Sequence, residues 1–571
     1  MEREFKSKYH RKEPIREFNV DQTLYNAVMN TNEKNMNYNY AQFFGKTMTF
    51  GELRFKTDCF ATALKRDGVL DEEKVGVALL TVPEVSSTLL ALSKIGATSY
   101  WIDVTAEPAN MIHYINDHKL KKIIISEPLV PMFEKIIDMT TLDRVIVVPI
   151  SNYLGIPPKK EYSDERIVDF HDYTNVIPDQ TIVPVKYDKE KPTVIVQSSG
   201  STGKPKSIVH TDFNLNNEIK KTTYLDFPLR ERKRNFVCAP PWVIYGLVNS
   251  IYSGLLFGFD TVYSLKPEED MLYKHLGEYD FVHGVPVYYR YLYNKMVELE
   301  KSGKPEDKAE LERIIRCLDD VDIFISGGDK VPVEELMEWQ HRFNVPVSNG
   351  YGNNEVVGAA IVSPIYACKP ASIGIPLYGN VVKAFDIETG KPLKDGEVGE
   401  IWIGSDSLFK EYLDQPEETA KIKTTYDGIE WVKTGDLGYI DSDGYVFLKG
   451  RARRLIIDKL GYKISPDNSE NIISSLEQVK ECAVVGVEIA ENDCVPMAFV
   501  ELTDEYKDSI EMIEVIKELC EKNLKEYERP KIFKEIDKIP HKENGGKVDF
   551  VALENLAREF QKEKSIVLKK K

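Results

Sequence analysis

The sequence predicts an α/β fold: a large N-terminal part built on mostly parallel, helix-flanked sheets, with a small antiparallel β barrel, followed by a small α+β domain. Three observations lead there. Short apolar runs alternate with amphipathic stretches from Asp71 to Pro346, the βαβα rhythm of parallel sheet with helices on both faces. Between about 372 and 449 that rhythm gives way to short alternating strands joined by turns. After "GRARR" (Gly450 to Arg454) a last segment mixes helices with short strands. A chain of 571 residues suits more than one folded unit. These shifts set the boundary between 1–450 and 451–571, with the β-rich portion inside the first.

In chain order, "KVGVALL", "KKIIISEP", "RVIVVPI", "TVIVQSS", "NFVCAPP", "DFVHGVP" and "VDIFISGGD" read as buried strands, each closed by Gly, Pro or Ser. Between them "EVSSTLLALSKIG" is a helix capped by Gly96, and "PVEELMEWQHRF" is another. The polar stretch "NYLGIPPKKEYSDERIVDFHDY" reads as a surface connection. In such sheets ligands bind beyond the carboxyl ends of the strands, and a Ser/Thr/Gly loop beginning at Ser198 sits at one of them. Farther on, "VVKAFDIETGKPLKDGEVGEIWIGS" and "GYIDSDGYVFLKG" supply the antiparallel strands. Within the latter, "DSDG" lacks the third acid and terminal Glu of a calcium loop and reads as a hairpin turn. "ECAVVGV" and "MAFVEL" are strands of the final domain, which ends in a charged helix.

A net charge of -17 argues against a general binder of nucleic acid or anionic membrane, because counterion release needs a basic surface. Anionic ligands must then be met by local lysines and arginines. The seven cysteines (Cys59, Cys238, Cys317, Cys368, Cys482, Cys494, Cys520) are scattered without CxxC spacing, which fits a reducing compartment and neither a disulfide framework nor a zinc site. "MEREFKSKYHRKEP" lacks the apolar core of a secretory signal. No apolar run reaches the ~18 residues of a membrane span, so the expectation is a cytoplasmic protein.

Five stretches carry chemistry. In "TVIVQSSGSTGKPKSIVH" (Thr193 to His210) a strand stops at a loop offering backbone N–H groups, the hydroxyls of Ser198, Ser199, Ser201 and Thr202, and the charges of Lys204 and Lys206. It is not a P-loop: two residues rather than four separate Gly200 from Gly203, and Pro205 follows Lys204. "SNGYGNNEVVG" (Ser348 to Gly358) joins an aromatic, Tyr351, to three amides (Asn349, Asn353, Asn354) and a carboxylate, Glu355. A purine needs a flat face and hydrogen-bond partners, and a magnesium-bound triphosphate needs a carboxylate. "KTGDLG" sets Asp436 after a tight turn at Gly435, where an acid can hold ribose hydroxyls. "GRARRLIIDKLGYKISP" places Arg451 after a Gly at the domain junction, and "IPHKENGGKVDF" presents Lys547 on a Gly-Gly turn. Singly, each stretch is also an ordinary turn, loop or surface charge run.

Together and in this order, SSGSTGKPK, GYGNNE, TGD, GRxxxxI…G and GGK resemble the adenylate-forming superfamily: acyl-CoA synthetases, stand-alone adenylation domains and firefly-type luciferases. The resemblance covers nearly the whole chain, since "GVALLTVPEVSSTLLALSKIGATSYWIDV" is also similar to that family's early strand–helix–strand. It implies an AMP-forming acid–thiol ligase using ATP, Mg2+ and CoA. A small carboxylic acid attacks the α-phosphorus, pyrophosphate leaves, and a thiol captures the acyl group.

By the same resemblance the loop of Ser198, Ser199, Gly200, Ser201, Thr202, Gly203, Lys204 and Lys206 closes on the β- and γ-phosphates, with Thr202 and Ser201 nearest. Tyr351, between Gly350 and Gly352, stacks on adenine, with Gly328 and Asn353 also at the nucleotide. Asn349 reaches the exocyclic amine, Asn354 approaches the α-phosphate and Glu355 holds magnesium. Asp436 takes the ribose hydroxyls, with Arg451 beside it. Lys547, on a mobile C-terminal domain, bridges the substrate carboxylate and the α-phosphate; with Glu355, Asn354 and Thr202 it forms the catalytic set. A compact cation suits that place because it offsets the repulsion of two reacting anions. The domain pivots at Arg453, and Gly461 and Tyr462 line the CoA tunnel. Trp242, Tyr245, Gly246 and Gly327 line the acyl pocket. Three positions depart from the family: Arg453, where relatives carry Asp or Lys; Asn354, where they carry Thr; and "PPWVIYG", where many have an aromatic followed by His.

Amino-acid-activating relatives carry an Asp near "PPWVIYGLVNS", but no acid lies between Pro240 and Gly258. A bound ammonium without a counter-charge is costly, so with Val243, Tyr245, Leu247 and "GLLFGF" around it the expected substrate is an apolar or aromatic acid. "KLGYKISP" resembles the CoA-ligase form of its motif. A stand-alone enzyme loading a carrier-protein phosphopantetheine thiol is the alternative. A non-catalytic nucleotide sensor is a second, against which Lys547 and Glu355 both stand.

Overall fold

A computed structural model describes residues 9–156, 162–198, 206–228, 230–237, 239–265, 268, 270–328, 331, 333–365, 367–457, 463–490, 493–541 and 548–569, apart from the side chains of 333, 453, 457, 463, 490, 493, 510 and 561–569. The chain divides into two compact units. The first is Met1–Val382 with Ile403–Val432 and Asp443–Val446; the second is Lys383–Trp402 with Lys433–Ser442 and Phe447–Lys571.

All seven runs read as strands between Asp71 and Pro346 are strands of two large sheets in the first unit. One sheet has eight strands, in the order Glu411–Tyr412, Ser207–Thr211, Pro192–Gln197, Thr98–Trp101, Lys74–Ala78, Lys122–Ser126, Arg144–Val148 and Ile167–Asp169. From Pro192–Gln197 onward every neighbour is parallel, while Ser207–Thr211 turns back antiparallel after the Ser198 loop. The other has nine, in the order Ile375–Pro376, Ile361–Val362, Val347–Tyr351, Ile323–Ser326, Phe281–Gly284, Arg234–Val237, Asp260–Tyr263, Asn39–Phe43 and Lys46–Thr49. Its centre is parallel and its edges antiparallel.

The helices follow their sequence signals. Phe50–Arg66 opens with a capping box: Thr49 Oγ1 accepts from Glu52 N, and the Glu52 carboxylate accepts from Thr49 N. Glu84–Ile95 is buried throughout and ends at Gly96, whose φ of 81° closes the left-handed cap. In Val333–Phe343 the residues Leu336, Trp339 and Phe343 join a core with Tyr289 and Phe324, which leaves the charged positions outside.

One expectation fails. The polar stretch read as a surface connection contains Ile167–Asp169, which pairs in parallel with Arg144–Val148 as the last strand of its sheet. Phe170 then turns inward onto Phe60, with ring centroids 4.9 Å apart, and Asp169 caps the short helix Phe170–Thr174. Two β-branched residues and one phenylalanine outweigh the charged flanks, because an edge strand needs only one buried face.

The β-rich region forms a five-stranded sheet: Val381–Phe385, Gly399–Gly404, Ile429–Ile440 and Lys423–Tyr426 in order, with Val446–Arg451 also on Ile429–Ile440. The 12-residue strand Ile429–Ile440 is long enough to pair with three of the others. "DSDG" does lie in the connection between Ile429–Ile440 and Val446–Arg451.

In the second unit Val479–Ala490, Asp493–Leu502 and Ile532–Glu535 form a three-stranded sheet. Alternate residues serve two cores: Val484, Ala498 and Val500 on one face, Ala483, Val485, Met497 and Phe499 on the other. Double-faced burial explains why "ECAVVGV" and "MAFVEL" lack polar alternation. Among the described residues no helix is long and apolar enough to cross a membrane.

Trp339 is 1% exposed and meets Tyr289 at 5.4 Å between ring centroids. Trp339→Ala is expected to cost about 3–5 kcal/mol, seen as a lower urea midpoint for the transition that unfolds the first unit.

Candidate active site

The Ser198 loop leaves the carboxyl end of Pro192–Gln197 and re-enters the sheet at Ser207–Thr211. Reciprocal bonds close its base: Ser198 N donates to Lys206 O and Lys206 N donates to Ser198 Oγ, each at 2.8 Å. Ser199, Gly200, Ser201, Thr202, Gly203 and Lys204 lie outside the described residues. The Lys206 ammonium is 2.6 Å from Glu418 and 4.7 Å from the centre of the Tyr412 ring. That lysine holds the Glu418 carboxyl down at about 2.

The second stretch leaves the strand Val347–Tyr351 as a turn built on glycine. A Cβ on Gly352 would stand 1.9 Å from Gly358 O, and Gly358 has a φ of +95°. Between them Asn353 caps the 3-10 turn Asn354–Val356 by accepting from Val356 N at 3.1 Å, and the β-branched Val357 takes a φ of 59°. Such a conformation persists only where its surroundings impose it, and Val357 is fully buried.

Asn354 is the junction. Its Nδ2 donates to Gln197 O at 3.0 Å, and its Oδ1 accepts from Ile244 N at 3.4 Å. One side chain thus brings the foot of the Ser198 loop and the start of the Tyr245 helix to the turn. Glu355 accepts from the Tyr412 hydroxyl at 2.7 Å, and its carbonyl accepts from Phe409 N at 2.9 Å. Burial, and then the Glu355 charge, push the Tyr412 phenol well above its ordinary value, so it stays a donor. Asn349 is 9% exposed, and among the described residues its buried Oδ1 has no hydrogen-bond donor. His210 lies fully buried facing the Asn354 backbone; burial lowers its pKa to about 3, so it is neutral near pH 7.

Tyr245 begins the π-helix Tyr245–Tyr252, a rare geometry that recurs at functional sites. Its hydroxyl lies 3.3 Å from Gly284 O and 3.4 Å from Ile325 O, at two adjacent strand ends. A Cβ on Gly327 would sit 3.3 Å from the Tyr245 ring, and Gly328 has a φ of +82°. At Gly246 a Cβ would fall 2.0 Å from Pro240 O, so close packing of the helix start accounts for that glycine. Trp242 is half-buried in the preceding turn. His283, whose pKa burial lowers to about 4, approaches the Tyr245 ring edge-on at 6.2 Å.

In the second unit the Asp436 side chain is 8% exposed and 2.8 Å from Arg451 Nε. Thr434 holds that turn: its Oγ1 accepts from Asp436 N at 3.0 Å and donates to Ile401 O at 2.7 Å. Arg453 sits in the 3-10 turn Ala452–Arg454. Gly461, Tyr462 and Lys547 lie outside the described residues. Sequence reasoning missed Tyr412, Glu418, His210 and His283. They sit in strands and a helix start without Gly-rich punctuation, and nothing in local spacing ties position 412 to position 355.

A family profile described as AMP-binding enzyme matches residues 28–413, and its C-terminal domain profile matches 468–546. The putative acyl–CoA ligase YdaB of Bacillus subtilis (strain 168) is 27% identical over 521 residues, covering 90% of this chain and 94% of that protein. The benzoate–CoA ligase of Thauera aromatica is 24% identical over 502 residues, covering 87% and 89%. Among solved structures, ATP-bound MatB from Rhodopseudomonas palustris superposes with a TM-score of 0.80 at 19% identity, over 95% of this chain and 100% of that one. The anthranilate CoA ligase AuaEII with anthranoyl-AMP gives 0.78 at 21%, over 95% and 98%.

Asn354→Ala leaves the Gln197 carbonyl and the Ile244 N–H without this partner, a cost of about 1–3 kcal/mol. The expected readout is faster hydrogen–deuterium exchange of amides 350–358. Gly352→Ala is expected to do the same, because its Cβ would stand 1.9 Å from Gly358 O.

Proposed function

Because the chain belongs to the AMP-binding enzyme family and is an AMP-forming acid–thiol ligase, we propose that it joins an apolar or aromatic carboxylic acid to coenzyme A at the expense of ATP. The observation that carries this reading is the convergence, through Asn354, of the Ser198–Lys206 clasp, the Tyr351–Glu355 turn and the Tyr245 helix at the strand ends.

A carboxylate is a poor acyl donor because its leaving group would be oxide. Attack of its oxygen on the α-phosphorus expels pyrophosphate and forms an acyl-adenylate, from which a thiol expels AMP. Both steps ask the protein for positioning and for compensation of charge on oxygen. The orphan acceptor at Asn349 Oδ1 suits the exocyclic amine of adenine, with Tyr351 as the stacking face. Asp436 takes the ribose hydroxyls, and its place is kept by Thr434 and Arg451. The loop 198–206 covers the β- and γ-phosphates, and Asn354 stands toward the α-phosphate. Lys547 joins carboxylate and α-phosphate from the C-terminal domain, 451–571, which turns at Arg453 to admit the thiol past Gly461 and Tyr462.

Glu355 is an oxygen donor of the kind magnesium accepts, and among the described residues no three of His, Cys, Asp and Glu gather as a cage. A single carboxylate fits an ion that arrives on nucleotide phosphates. When bound, magnesium supplies compensation of phosphate charge. Tyr245 and Gly327 frame the acid pocket, and the lack of an acid from Pro240 to Gly258 supports a substrate without an ammonium. The scattered cysteines, without CxxC spacing, support a reducing, cytoplasmic location.

Acid-dependent ATP–pyrophosphate exchange, followed by CoA-dependent release of AMP, is expected across a panel of aliphatic and aromatic acids. No exchange with any acid, with ATP still bound, would overturn the reading; AMP release with a holo-carrier protein but not with CoA would replace the acceptor. Lys547→Ala is expected to slow exchange by at least a hundred-fold, roughly 2.7 kcal/mol, while the thioester step from supplied acyl-adenylate changes far less, as measured by single-turnover assays.

A further inference from the structure

Among the described residues of the candidate site in the first unit, Tyr412 meets two charged side chains. Its hydroxyl donates to Glu355 Oε1 at 2.7 Å, and Lys206 Nζ stands 4.7 Å from its ring centre. The side chain has little freedom. It is 5% exposed, its ring meets Phe409 at 5.1 Å, its backbone pairs with Ile208, and its N–H donates to Thr419 Oγ1 at 2.9 Å. The same segment grips both neighbours from a second side: Phe409 N binds the Glu355 carbonyl and Glu418 pairs with Lys206. The Lys206–Glu418 pair is partly solvated and weak by itself. A buried phenol bonded to a carboxylate is charge-assisted and directional.

The geometry points to Tyr412 as a positioning residue, orienting the Glu355 carboxylate by its hydroxyl and the Lys206 ammonium by its ring face. This rests on Glu355 being the carboxylate that meets the nucleotide-borne ion. A carboxylate oriented by a fixed hydroxyl meets a cation in a preset direction, and loss of such an outer partner typically costs 10–100-fold in metal affinity.

The test uses the full chain with α,β-methylene-ATP and Mn2+ as probe, free Mn2+ being read by electron paramagnetic resonance. Tyr412→Phe is expected to weaken Mn2+ about ten-fold and to change metal-free nucleotide affinity less than two-fold. In a Glu355→Gln background the same change is expected to have almost no effect on Mn2+, because Tyr412 acts through Glu355. Wild-type Mn2+ affinity in Tyr412→Phe, or an equal loss in both backgrounds, overturns the proposal alone. Unaltered affinity in Glu355→Gln overturns the metal assignment and this proposal with it. A 3-fluorotyrosine at 412 tests the same link without deleting the ring. Its fluorine resonance is expected to move on Mg2+ addition to the nucleotide complex and to stay still in Glu355→Gln; no movement in either overturns the proposal.

Discussion

The side-chain amide of Asn354 is the constraint from which the rest of the first unit's site follows. Its donor meets Gln197 O, 157 residues away, and its acceptor meets Ile244 N, 110 residues away. Parallel sheets end all their strands on one side, so loops from distant parts of the chain emerge near one another. Proximity alone does not fix their mutual orientation. A short, planar group that donates and accepts at once does, and the Asn side chain carries an N–H donor and a carbonyl acceptor in one plane.

The turn that carries Asn354 is held as tightly as the amide it presents. Gly352 and Gly358 approach too closely for any Cβ, and Val357 is kept in a left-handed conformation by the buried packing around it. Backbone strain of this kind is stored where a side chain must point in one direction only. His210 and His283 are buried at the cost of their basicity, so neither adds charge near pH 7. Among the described residues, Glu355 and Lys206 both meet one tyrosine, Tyr412.

The second unit prepares its share independently. Asp436 is placed by Thr434 and Arg451, all within that unit, so its carboxylate is oriented by local hydrogen bonds. Its three-stranded sheet buries both faces, which gives a small domain two apolar cores from few residues.

The strands and helices were legible because burial imposes period and punctuation on neighbouring residues: β-branched runs stopped by Gly, Pro or Ser, and a cap at Gly96. Ile167–Asp169 was hidden because an edge strand needs few apolar residues, and charged flanks masked them. The order of motifs along the chain determined the family and named Asn354, Glu355, Asp436 and Arg451 as candidates. It did not show that Asn354 spends its amide on two backbone groups, that Gly246 answers to Pro240, or that Tyr412 stands between Glu355 and Lys206. Local sequence determines what a residue can bond and how its segment folds, because those depend on covalent neighbours. Which partners it meets was decided only by tertiary packing, since hydrogen bonds and ring contacts act over about 3 to 6 Å in space and are indifferent to separation along the chain.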